Sequence, residues 1–345
     1  MINVLVLGVG GNVSQGIISA LRSSNIECRI VGACIDKDSL GLYMSDAAYI
    51  SPLANEPNFI DWLIELCNKE KIDIIFTGVE ENIFAIQKNI EKIKSRVKSI
   101  FISSSVDQLS IGNDKYETCK WLEREGLNFP KYSLASDNDS LSKLVKECGF
   151  PLIAKPRNGK GSNGIFKIEN WDDFKLLNNT SDYIVQEYLG DEESEYTIGC
   201  YCNKHGELVD VIIMRRKLKY GTTFMAEIVE DASIYEEVTR ICRQFSPKGP
   251  LNIQLRKHNN IPVCFELNVR FSGTTPMRAK WGYNDIEAMI REYIYDEDIN
   301  EILKPVKNGK VYRYFNEYYI DTDMEENLHK FSHVKNTAIY KNEKG

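Results

Sequence analysis

Short apolar runs alternate with helix-length amphipathic stretches over the first part of the chain. The apolar runs predict parallel strands at Val4 to Leu7, Ile30 to Ile35, Ile72 to Phe76 and Ser99 to Ile102. The stretches between them have helical spacing and predict helices at Val13 to Ser23, Phe59 to Lys69 and Asn82 to Lys94. Because strands that alternate with helices form a parallel sheet, residues 1–105 are predicted to be a doubly wound α/β domain.

The pattern changes after residue 105. Residues Gln108 to Gly126 have helical spacing, and Pro130 ends it and begins an extended segment. Further strands are predicted at Pro151 to Pro156, Gly164 to Ile168, Tyr183 to Tyr188, Glu195 to Tyr201, Leu208 to Met214, Leu251 to Leu255 and Val263 to Asn268. We therefore expect an α+β structure in two lobes, residues 106–189 and 190–345. One or two strands are expected in the aromatic tail after Asn308.

The composition, 43% hydrophobic and 27% charged in 345 residues, is that of a globular protein with two or three lobes. The sequence contains no apolar run long enough for a membrane span, and the N-terminal run is typical of a first strand, so we expect a cytoplasmic protein. The net charge of −7 argues against a nucleic-acid binder and favours small-molecule partners. The nine cysteines are scattered, which indicates reduced thiols.

The first candidate for chemistry is Gly8-Val9-Gly10-Gly11, which follows a predicted strand and precedes a predicted helix. Small residues here let the backbone approach a ligand, and the helix N-terminus offers unpaired amides to an anion. Asp36 could bind the ribose of a dinucleotide, but the GxGxxG spacing is missing because position 13 is valine. A tight turn that packs helix against strand remains the alternative.

The second candidate is the loop between the strands that end at Pro156 and begin at Gly164. Lys155 precedes it, and the loop combines glycines with the cations Arg157 and Lys160. Glycine frees backbone amides to surround phosphate oxygens, cations balance phosphate charge, and a flexible loop can close as a lid. This pattern predicts a phosphate-binding loop, and a mobile surface hairpin is the alternative.

A third candidate is the strand edge from Gln186 to Leu189, whose backbone could contact the rim of an adenine. Glu195, one loop later, could accept ribose hydroxyls, although acidic residues in such loops are often merely solvated.

The fourth candidate is a set of polar residues on two neighbouring predicted strands. Gln254 lies on one, and Glu266, Asn268 and Arg270 alternate along the next. Their oxygens suit a hard ion such as magnesium bound with phosphates, and Arg270 adds a cation for a phosphoryl group. The intervening residues Val263, Phe265, Leu267 and Val269 are expected to form the buried face. A polar surface stripe is the alternative.

These elements, in this order and at these distances, resemble the ATP-grasp superfamily, and within it the carbamoyl-phosphate-synthase-like branch of stand-alone ligases, over roughly residues 2 to 300. The resemblance implies nucleotide contacts from Lys115, Lys155, Gly159, Lys160, Gly161, Ser162, Gly164, Glu187, Tyr188, Leu189 and Glu195. It implies magnesium ligands at Gln254, Glu266 and Asn268, and catalytic roles for Lys155, Arg216 and Arg270. Strand parity favours Arg216 over its neighbour Arg215 for the inward position.

The resemblance also implies an N-terminal pre-ATP-grasp domain of Rossmann-like α/β fold, ahead of the two lobes of the ATP-grasp fold. Substrate contacts are implied for Gly10, Gly11, Glu80, Ser272, Gly273 and Thr274. The sequence departs from the family pattern at Val269, where proline is usual, and at Gly199, where a strand aspartate is common. Gln254 stands in place of an acidic residue, so the metal site has one negative charge fewer.

The activity that the resemblance implies is ATP-dependent ligation. A small-molecule carboxylate would be phosphorylated to an acyl phosphate and passed to an amine or another nucleophile such as a thiol, with ATP and Mg²⁺, or Mn²⁺ in its place, as cofactors. Three alternatives stay open: phosphorylation without ligation, a non-catalytic nucleotide-binding subunit, and a nicotinamide-dependent dehydrogenase. We expect no membrane or nucleic-acid partner. We expect a homodimer because dimers are the commonest assemblies of soluble proteins.

Overall fold

The computed structural model describes residues 1–159, 161, 163–177, 180–190, 192–299, 302–320 and 322–335. The chain divides into two compact units. Unit 1 contains Met1–Val106, Arg270–Pro305 and the described residues after 314, and unit 2 contains Asp107–Val269 and Val306–Tyr314. Most of the segment after Val269, which we expected in the lobe 190–345, thus belongs to unit 1 together with the N-terminal residues.

The strands are β1 (Ile2–Leu7), β2 (Cys28–Cys34), β3 (Ala47–Ile50), β4 (Ile74–Thr77), β5 (Ile100–Phe101), β6 (Tyr132–Leu134), β7 (Leu152–Pro156), β8 (Phe166–Ile168), β9 (Tyr183–Glu187), β10 (Glu195–Cys202), β11 (Leu208–Lys219), β12 (Thr222–Ile228), β13 (Gly249–His258), β14 (Ile261–Asn268), β15 (Lys310–Tyr312) and β16 (His333–Lys335). The helices are α1 (Asn12–Arg22), α2 (Leu40–Tyr43), α3 (Phe59–Glu70), α4 (Glu80–Lys88), α5 (Ile90–Lys94), α6 (Val106–Asn113), α7 (Lys115–Arg124), α8 (Asn138–Cys148), α9 (Ala232–Phe245), α10 (Thr275–Lys280), α11 (Asp285–Tyr293) and α12 (Thr322–Phe331).

Unit 1 is built on a six-stranded sheet in the order β16-β3-β2-β1-β4-β5. The five N-terminal strands are parallel, and β16 adds an antiparallel edge. Four of the five were predicted, and β3 was not. Leu5 and Leu7 face a core formed with α3, whereas Val4 and Val6 are fully buried on the opposite face because side chains alternate along a strand. Helix α1 packs against α10 and α11. The predicted doubly wound arrangement is confirmed.

Unit 2 contains two antiparallel sheets. The smaller has the order β6-β9-β7-β8, and its core includes Leu141 and Leu144 of α8. The larger has the order β14-β13-β10-β11-β12-β15 and contacts α7 and α9. The predicted hairpin is present as β7 and β8, and one strand of the aromatic tail is present as β15. β16 lies beyond the aromatic residues and was not predicted.

The stretch predicted as one helix from Gln108 to Gly126 is two helices. Asp114 separates them, because its backbone is extended and its carboxylate accepts a hydrogen bond from the Tyr116 amide at 2.9 Å. An aspartate at this position caps a new helix and satisfies an amide that would otherwise lack a partner. The break also places Lys115 at the first position of α7.

Over the part of the chain that the structure describes, no helix combines the length and hydropathy that a membrane crossing needs.

Candidate nucleotide and metal site

Both sheets of unit 2 line one cavity of about 350 Å³. The cavity brings together the phosphate-loop, hinge and metal residues that the sequence singled out. Its walls are formed by Lys115, Ile153, Lys155, Pro156, Gly159, Gly161, Asn163, Ile165, Gln186, Glu187, Tyr188, Leu189, Glu195, Arg216, Leu218, Gln254, Arg256, Phe265 and Glu266. In the sequence, Gly164 lies between the cavity residues Asn163 and Ile165, and Asn268 lies two residues after Glu266. Of the predicted loop residues, Lys160 and Ser162 lie outside the described residues.

The base of the glycine loop is fixed to the junction of α6 and α7. Arg157 donates to both carboxylate oxygens of Asp114, at 2.6 Å for Nη2, and the Lys115 amide donates to the Arg157 carbonyl at 3.0 Å. The ammonium of Lys115 donates to the Gly159 carbonyl at 3.2 Å. The hydrogen-bonded ion pair with Asp114 raises the pKa of Arg157, so its guanidinium group stays positively charged. These bonds hold the start of the loop, while Gly161 and Gly164 adopt positive φ angles suited to glycine.

Lys155 extends from β7 into the cavity wall. Its Nζ atom lies 4.5 Å from the centre of the Phe265 ring. Burial lowers the pKa of Lys155 to about 8, although the nearby Glu266 carboxylate opposes that shift. Because this lysine is already held away from water, it loses little hydration when a phosphate oxygen binds to it.

The hinge residues Glu187, Tyr188 and Leu189 span the end of β9. The Glu187 amide donates to the Lys131 carbonyl at 2.9 Å, which pairs this strand with the segment before β6. Beyond it, the chain leaves the sheet at Tyr188 and Leu189, at the cavity edge. Leu189 packs with Val263 and Phe265 in a small apolar cluster. The hinge therefore offers backbone groups next to an apolar surface, as a planar base requires.

A β-bulge in β14 changes the expected side-chain alternation. Gln254 pairs with Glu266, whereas the next residue of β13, Leu255, pairs with Cys264, so Phe265 is the extra residue. Phe265 and Glu266 therefore both face the cavity. Phe265 is buried, as predicted, but the prediction that it lies on the face opposite Glu266 is wrong. A bulge inserts one residue and redirects side chains in this manner.

Glu195 lies between two arginines. One of its oxygens accepts from Arg216, at 2.7 Å for Nη2, and the other accepts from Arg256, at 2.6 Å for Nη2. Burial alone would raise the pKa of Glu195, but the two guanidinium groups outweigh it and hold that pKa below its ordinary value. Both oxygens of this predicted ribose ligand thus have protein partners. Arg216 does point inward, whereas Arg215 pairs with Glu227 at 2.7 Å.

The predicted metal ligands converge on Glu266. Its Oε1 atom accepts from Gln254 Nε2 at 3.3 Å and from Asn268 Nδ2 at 3.0 Å, and Gln254 Oε1 accepts from Arg216 at 2.7 Å. Among the described residues no three His, Cys, Asp or Glu side chains gather as a metal site, so this set contains a single carboxylate. Amide and carboxylate oxygens on adjacent strands nevertheless fit a hard cation that brings its own phosphate ligands.

The predicted substrate residues lie in unit 1. Arg270 Nε donates to the Glu80 carboxylate at 2.8 Å. Ser272 and Thr274 are buried, and their hydroxyls lie 2.8 Å apart, while Arg278 donates to the Ser272 hydroxyl at 3.2 Å. These two hydroxyls support the turn around Gly273. Gly10 and Gly11 are exposed in the turn between β1 and α1.

Three known families match the chain. Residues 179–315 match the family described as "ATP-grasp in the biosynthetic pathway with Ter operon", and residues 112–243 match "RimK-like ATP-grasp domain". Residues 4–100 match "PylC-like, N-terminal domain". The chain is an ATP-grasp protein.

Among relatives of this ATP-grasp protein is the carbamoyl phosphate synthase large chain of Methanothrix thermoacetophila, which is 23% identical over 313 residues. The match covers 80% of this chain and 28% of that protein, so the chain spans less than a third of the length of this relative. The similarity connects the ATP-grasp protein to the carbamoyl phosphate synthases, as the resemblance implied.

Two solved structures have the same fold. N5-carboxyaminoimidazole synthetase from Staphylococcus aureus in complex with ADP has a TM-score of 0.69 at 17% identity, over 88% of this chain and 80% of that one. The L-amino acid ligase from Bacillus licheniformis has a TM-score of 0.67 at 14% identity, over 90% of this chain and 79% of that one. These comparisons confirm the predicted ATP-grasp fold with its N-terminal α/β domain.

Among the cavity residues of the ATP-grasp protein that sequence reasoning missed are Arg256 and Phe265. Arg256 donates to Glu195 and also to the Gly190 carbonyl at 2.6 Å, so it ties the end of the hinge to β10. Strand alternation could have found it, because Arg256 lies two residues beyond Gln254 on the same strand. Phe265 could not have been found in this way, since alternation places it on the wrong face.

Proposed function

We propose that this ATP-grasp protein is a ligase that joins a small carboxylate to an amine or a thiol and converts ATP to ADP and phosphate. The observation that carries the proposal is the composition of the cavity in unit 2. A glycine loop with Lys115 and Lys155 lines it together with the oxygen donors of Gln254 and Glu266.

The proposed place of the nucleotide follows from the polarity of the cavity wall. The apolar cluster of Leu189, Val263 and Phe265 suits the base, next to the backbone groups of the hinge. Lys115 and Lys155 suit the phosphates, and the glycine loop would cover them. Arg216 and Arg256 are already neutralised in part by Glu195, so they add a smaller positive charge than two free arginines would.

Gln254, Glu266 and Asn268 would hold the magnesium ion, which would neutralise charge on the phosphate oxygens. With one carboxylate in this set, most of the negative charge around the ion would come from the nucleotide. The part played by the protein is to fix these side chains: the hydrogen bonds to Glu266 Oε1 keep the three of them within a few ångströms of one another.

The proposed reaction has two steps. A carboxylate oxygen of the donor attacks the γ-phosphorus, the bond from that phosphorus to the bridging oxygen breaks, and ADP leaves with the electron pair. The acceptor nitrogen or sulfur then attacks the acyl carbon, phosphate leaves, and the acceptor releases a proton. Lysine and arginine side chains stabilise charge on the transferring group, and closure of the loop excludes water from the acyl phosphate.

The test is product analysis. The protein is incubated with ATP and Mg²⁺ and a panel of amino acids, sugar acids and polyamines, and ADP, phosphate and product masses are measured. We expect a product joined with loss of water, formed in step with ADP. A phosphorylated product without a joined one would replace ligation with a kinase-like reaction.

Matched variants connect the activity to the cavity. Glu266→Ala should lower turnover at least about a hundredfold, because a ligand at the reacting phosphates is lost, while its thermal melt stays close to that of the parent. Glu236→Ala removes an exposed carboxylate from α9 and should leave turnover unchanged. Equal activity in both variants would contradict the assignment of the site.

A further inference from the structure

A groove of unit 2 lies apart from the nucleotide cavity. It has a volume of about 410 Å³, within the range of small-molecule sites, and is lined by α7, α8, β6 and the segment before β6. α7 contributes Tyr116 and Glu123, which share one face because they lie two helical turns apart. Among the described residues, the groove and the nucleotide cavity have no lining residue in common. A ligand in the groove therefore leaves the nucleotide cavity open.

Three aromatic rings form adjoining parts of the groove wall. The ring of Tyr132 lies at 74° to that of Tyr116 with centres 5.6 Å apart, and at 73° to that of Phe129 with centres 5.9 Å apart. All three side chains are half-buried, so a solute can reach them. Rings that meet at steep angles present their electron-rich faces on more than one side of a space. Proteins surround alkylammonium groups with rings in this way.

The Tyr116 ring already attracts cations of the protein. Nζ of Lys120 lies 5.4 Å from its centre, and Cζ of Arg157 lies 5.2 Å from it. Lys120 and Arg157 are also paired with carboxylates, at 3.3 Å and 2.6 Å respectively, so neither adds a net positive charge to the groove. Over the part of the chain that the structure describes, no protein cation lies over the other two rings. Their faces therefore remain for a ligand.

Glu123 places a negative charge beside these rings. Its carboxylate is exposed and accepts a hydrogen bond from the Tyr132 hydroxyl at 2.7 Å. Burial and this hydrogen bond raise the pKa of Tyr132, so its hydroxyl keeps its proton and stays a donor. The glutamates on either side, Glu117 and Glu125, are each paired with a cation, whereas Glu123 has no cationic partner among the described residues. Its charge is therefore available to a ligand.

The lining as a whole is also negative. It contains three carboxylates and two lysines, so its net charge is −1 when all five are ionised. Lys131 is paired with Glu147 at 3.3 Å, which leaves Lys143 as the other cation of the lining. An anion in contact with the rings would meet the unpaired carboxylate of Glu123, and a neutral solute would gain nothing from that charge. Rings and charges together favour a cation.

We propose that this groove binds a small organic cation, an aliphatic amine or a quaternary ammonium ion. The charged nitrogen would lie against the faces of Phe129 and Tyr132 and beside the carboxylate of Glu123. The carbon chain would contact Leu134 and Leu144, which also line the groove. Binding here does not require the proposed ligation, because the groove and the nucleotide cavity are separate.

The experiment is an NMR titration of the isotopically labelled full chain, in which backbone amide shifts locate the ligand. The probes are tetramethylammonium, choline and putrescine, each compared with sodium chloride at the same ionic strength. The neutral control is the isostere of choline in which carbon replaces the charged nitrogen. We expect at least one cation to shift amides of α7, β6 and α8 with a dissociation constant of about 1–10 mM, and the isostere to bind at least about fivefold more weakly.

Three variants assign the binding to the groove. Glu123→Gln keeps an acceptor for the Tyr132 hydroxyl but loses the charge, and should weaken cation binding about threefold to fivefold. Phe129→Leu keeps an apolar side chain but loses the ring face. It should weaken cation binding about threefold and leave the affinity for the neutral isostere unchanged. Asp139→Asn removes an exposed carboxylate of α8 outside the groove and should change neither affinity. All three variants should bind Mg·ADP as the parent does, which would exclude a folding defect.

The possible results are distinct from those for the proposed function. Absence of amide shifts in α7, β6 and α8 with all three cations would overturn this inference, as would a neutral isostere that binds as well as the cations. Shifts confined to residues of the nucleotide cavity would overturn it too, because the cations would then occupy the other site. Cation binding in the groove of a protein that forms no joined product would support the groove and count against the ligase.

Discussion

The charge of the cavity in unit 2 depends on pH through the side chain of Lys155. Because its pKa is about 8, the side chain is a cation below that pH and becomes neutral as the pH rises through it. A bound phosphate favours the cation, so nucleotide binding should raise this pKa and take up a proton. We expect ADP affinity to fall roughly tenfold per pH unit above 8, measured by calorimetry in buffers of different ionisation enthalpy.

Lys155→Arg serves as the control for this pH dependence. Its guanidinium group stays charged over the whole range, so the loss of affinity above pH 8 and the proton uptake should both disappear. Proton uptake of the same size in Lys155→Arg would show that another group titrates.

Individual residues of the site were predictable where a local rule sets the direction of the side chain. Strand parity correctly placed Arg216 inside and Arg215 outside. It could not show that Glu195 lies between Arg216 and Arg256, because that arrangement joins three strands whose register is fixed only by the folded sheet. A sequence pattern gives the face of a strand and not the partner opposite it.

At the scale of elements, the strands named from the sequence are present, but β3, β12 and the helices α8 to α12 were not predicted. Two further exceptions have physical causes. The helix at 108–126 divides because Asp114 caps α7 with its own side chain. The alternation in β14 fails at a bulge, where the pairing with β13 shifts by one residue between Gln254 and Leu255. Both exceptions depend on local hydrogen bonding, which the spacing of apolar residues does not record.

The turn between β11 and β12 constrains the glycine loop. Gly221 has φ of +68°, and a Cβ atom added there would lie 2.1 Å from the carbonyl oxygen of Gly161. Gly221→Ala should therefore displace the loop and weaken ATP binding by about tenfold. The same change should increase cleavage of residues 157–164 in limited proteolysis.

Gly149→Ala is the matched comparison for Gly221→Ala. Gly149 has a similar φ of +70°, and within the described residues nothing lies within 4 Å of its added Cβ. Both variants should lose about 1–3 kcal/mol of stability because a side chain strains the backbone at these positive φ angles, but Gly149→Ala should bind ATP normally. Equal ATP affinities would mean that the turn does not position the loop.

At the scale of the whole molecule, unit 1 depends on segments that are distant in sequence. β16 pairs with β3, the ring of Tyr49 stacks on His333 with centres 5.7 Å apart, and Leu328 of α12 is fully buried. A chain ending at Ile320 lacks these contacts. It should lose on the order of 2 kcal/mol of stability, seen as faster hydrogen exchange of the β3 amides.

A chain ending at Lys335 provides the comparison, because it keeps α12 and β16. Exchange of the β3 amides should stay slow in this protein, and binding of Mg·ADP in unit 2 should be retained by both truncated chains. Unchanged exchange in the shorter chain would show that β16 adds nothing to the sheet.

The chain crosses between the two units after Val106, after Val269, after Pro305 and after Tyr314. During synthesis on a ribosome, β1 and α1 emerge before unit 2, yet helices α10 and α11, which pack on α1, begin more than 250 residues after that helix ends at Arg22. Unit 2 emerges almost entire in the meantime. The N-terminal part of unit 1 is therefore made before unit 2 but completed after it, and the face of α1 that packs on α10 and α11 stays uncovered until Arg270–Pro305 leaves the ribosome.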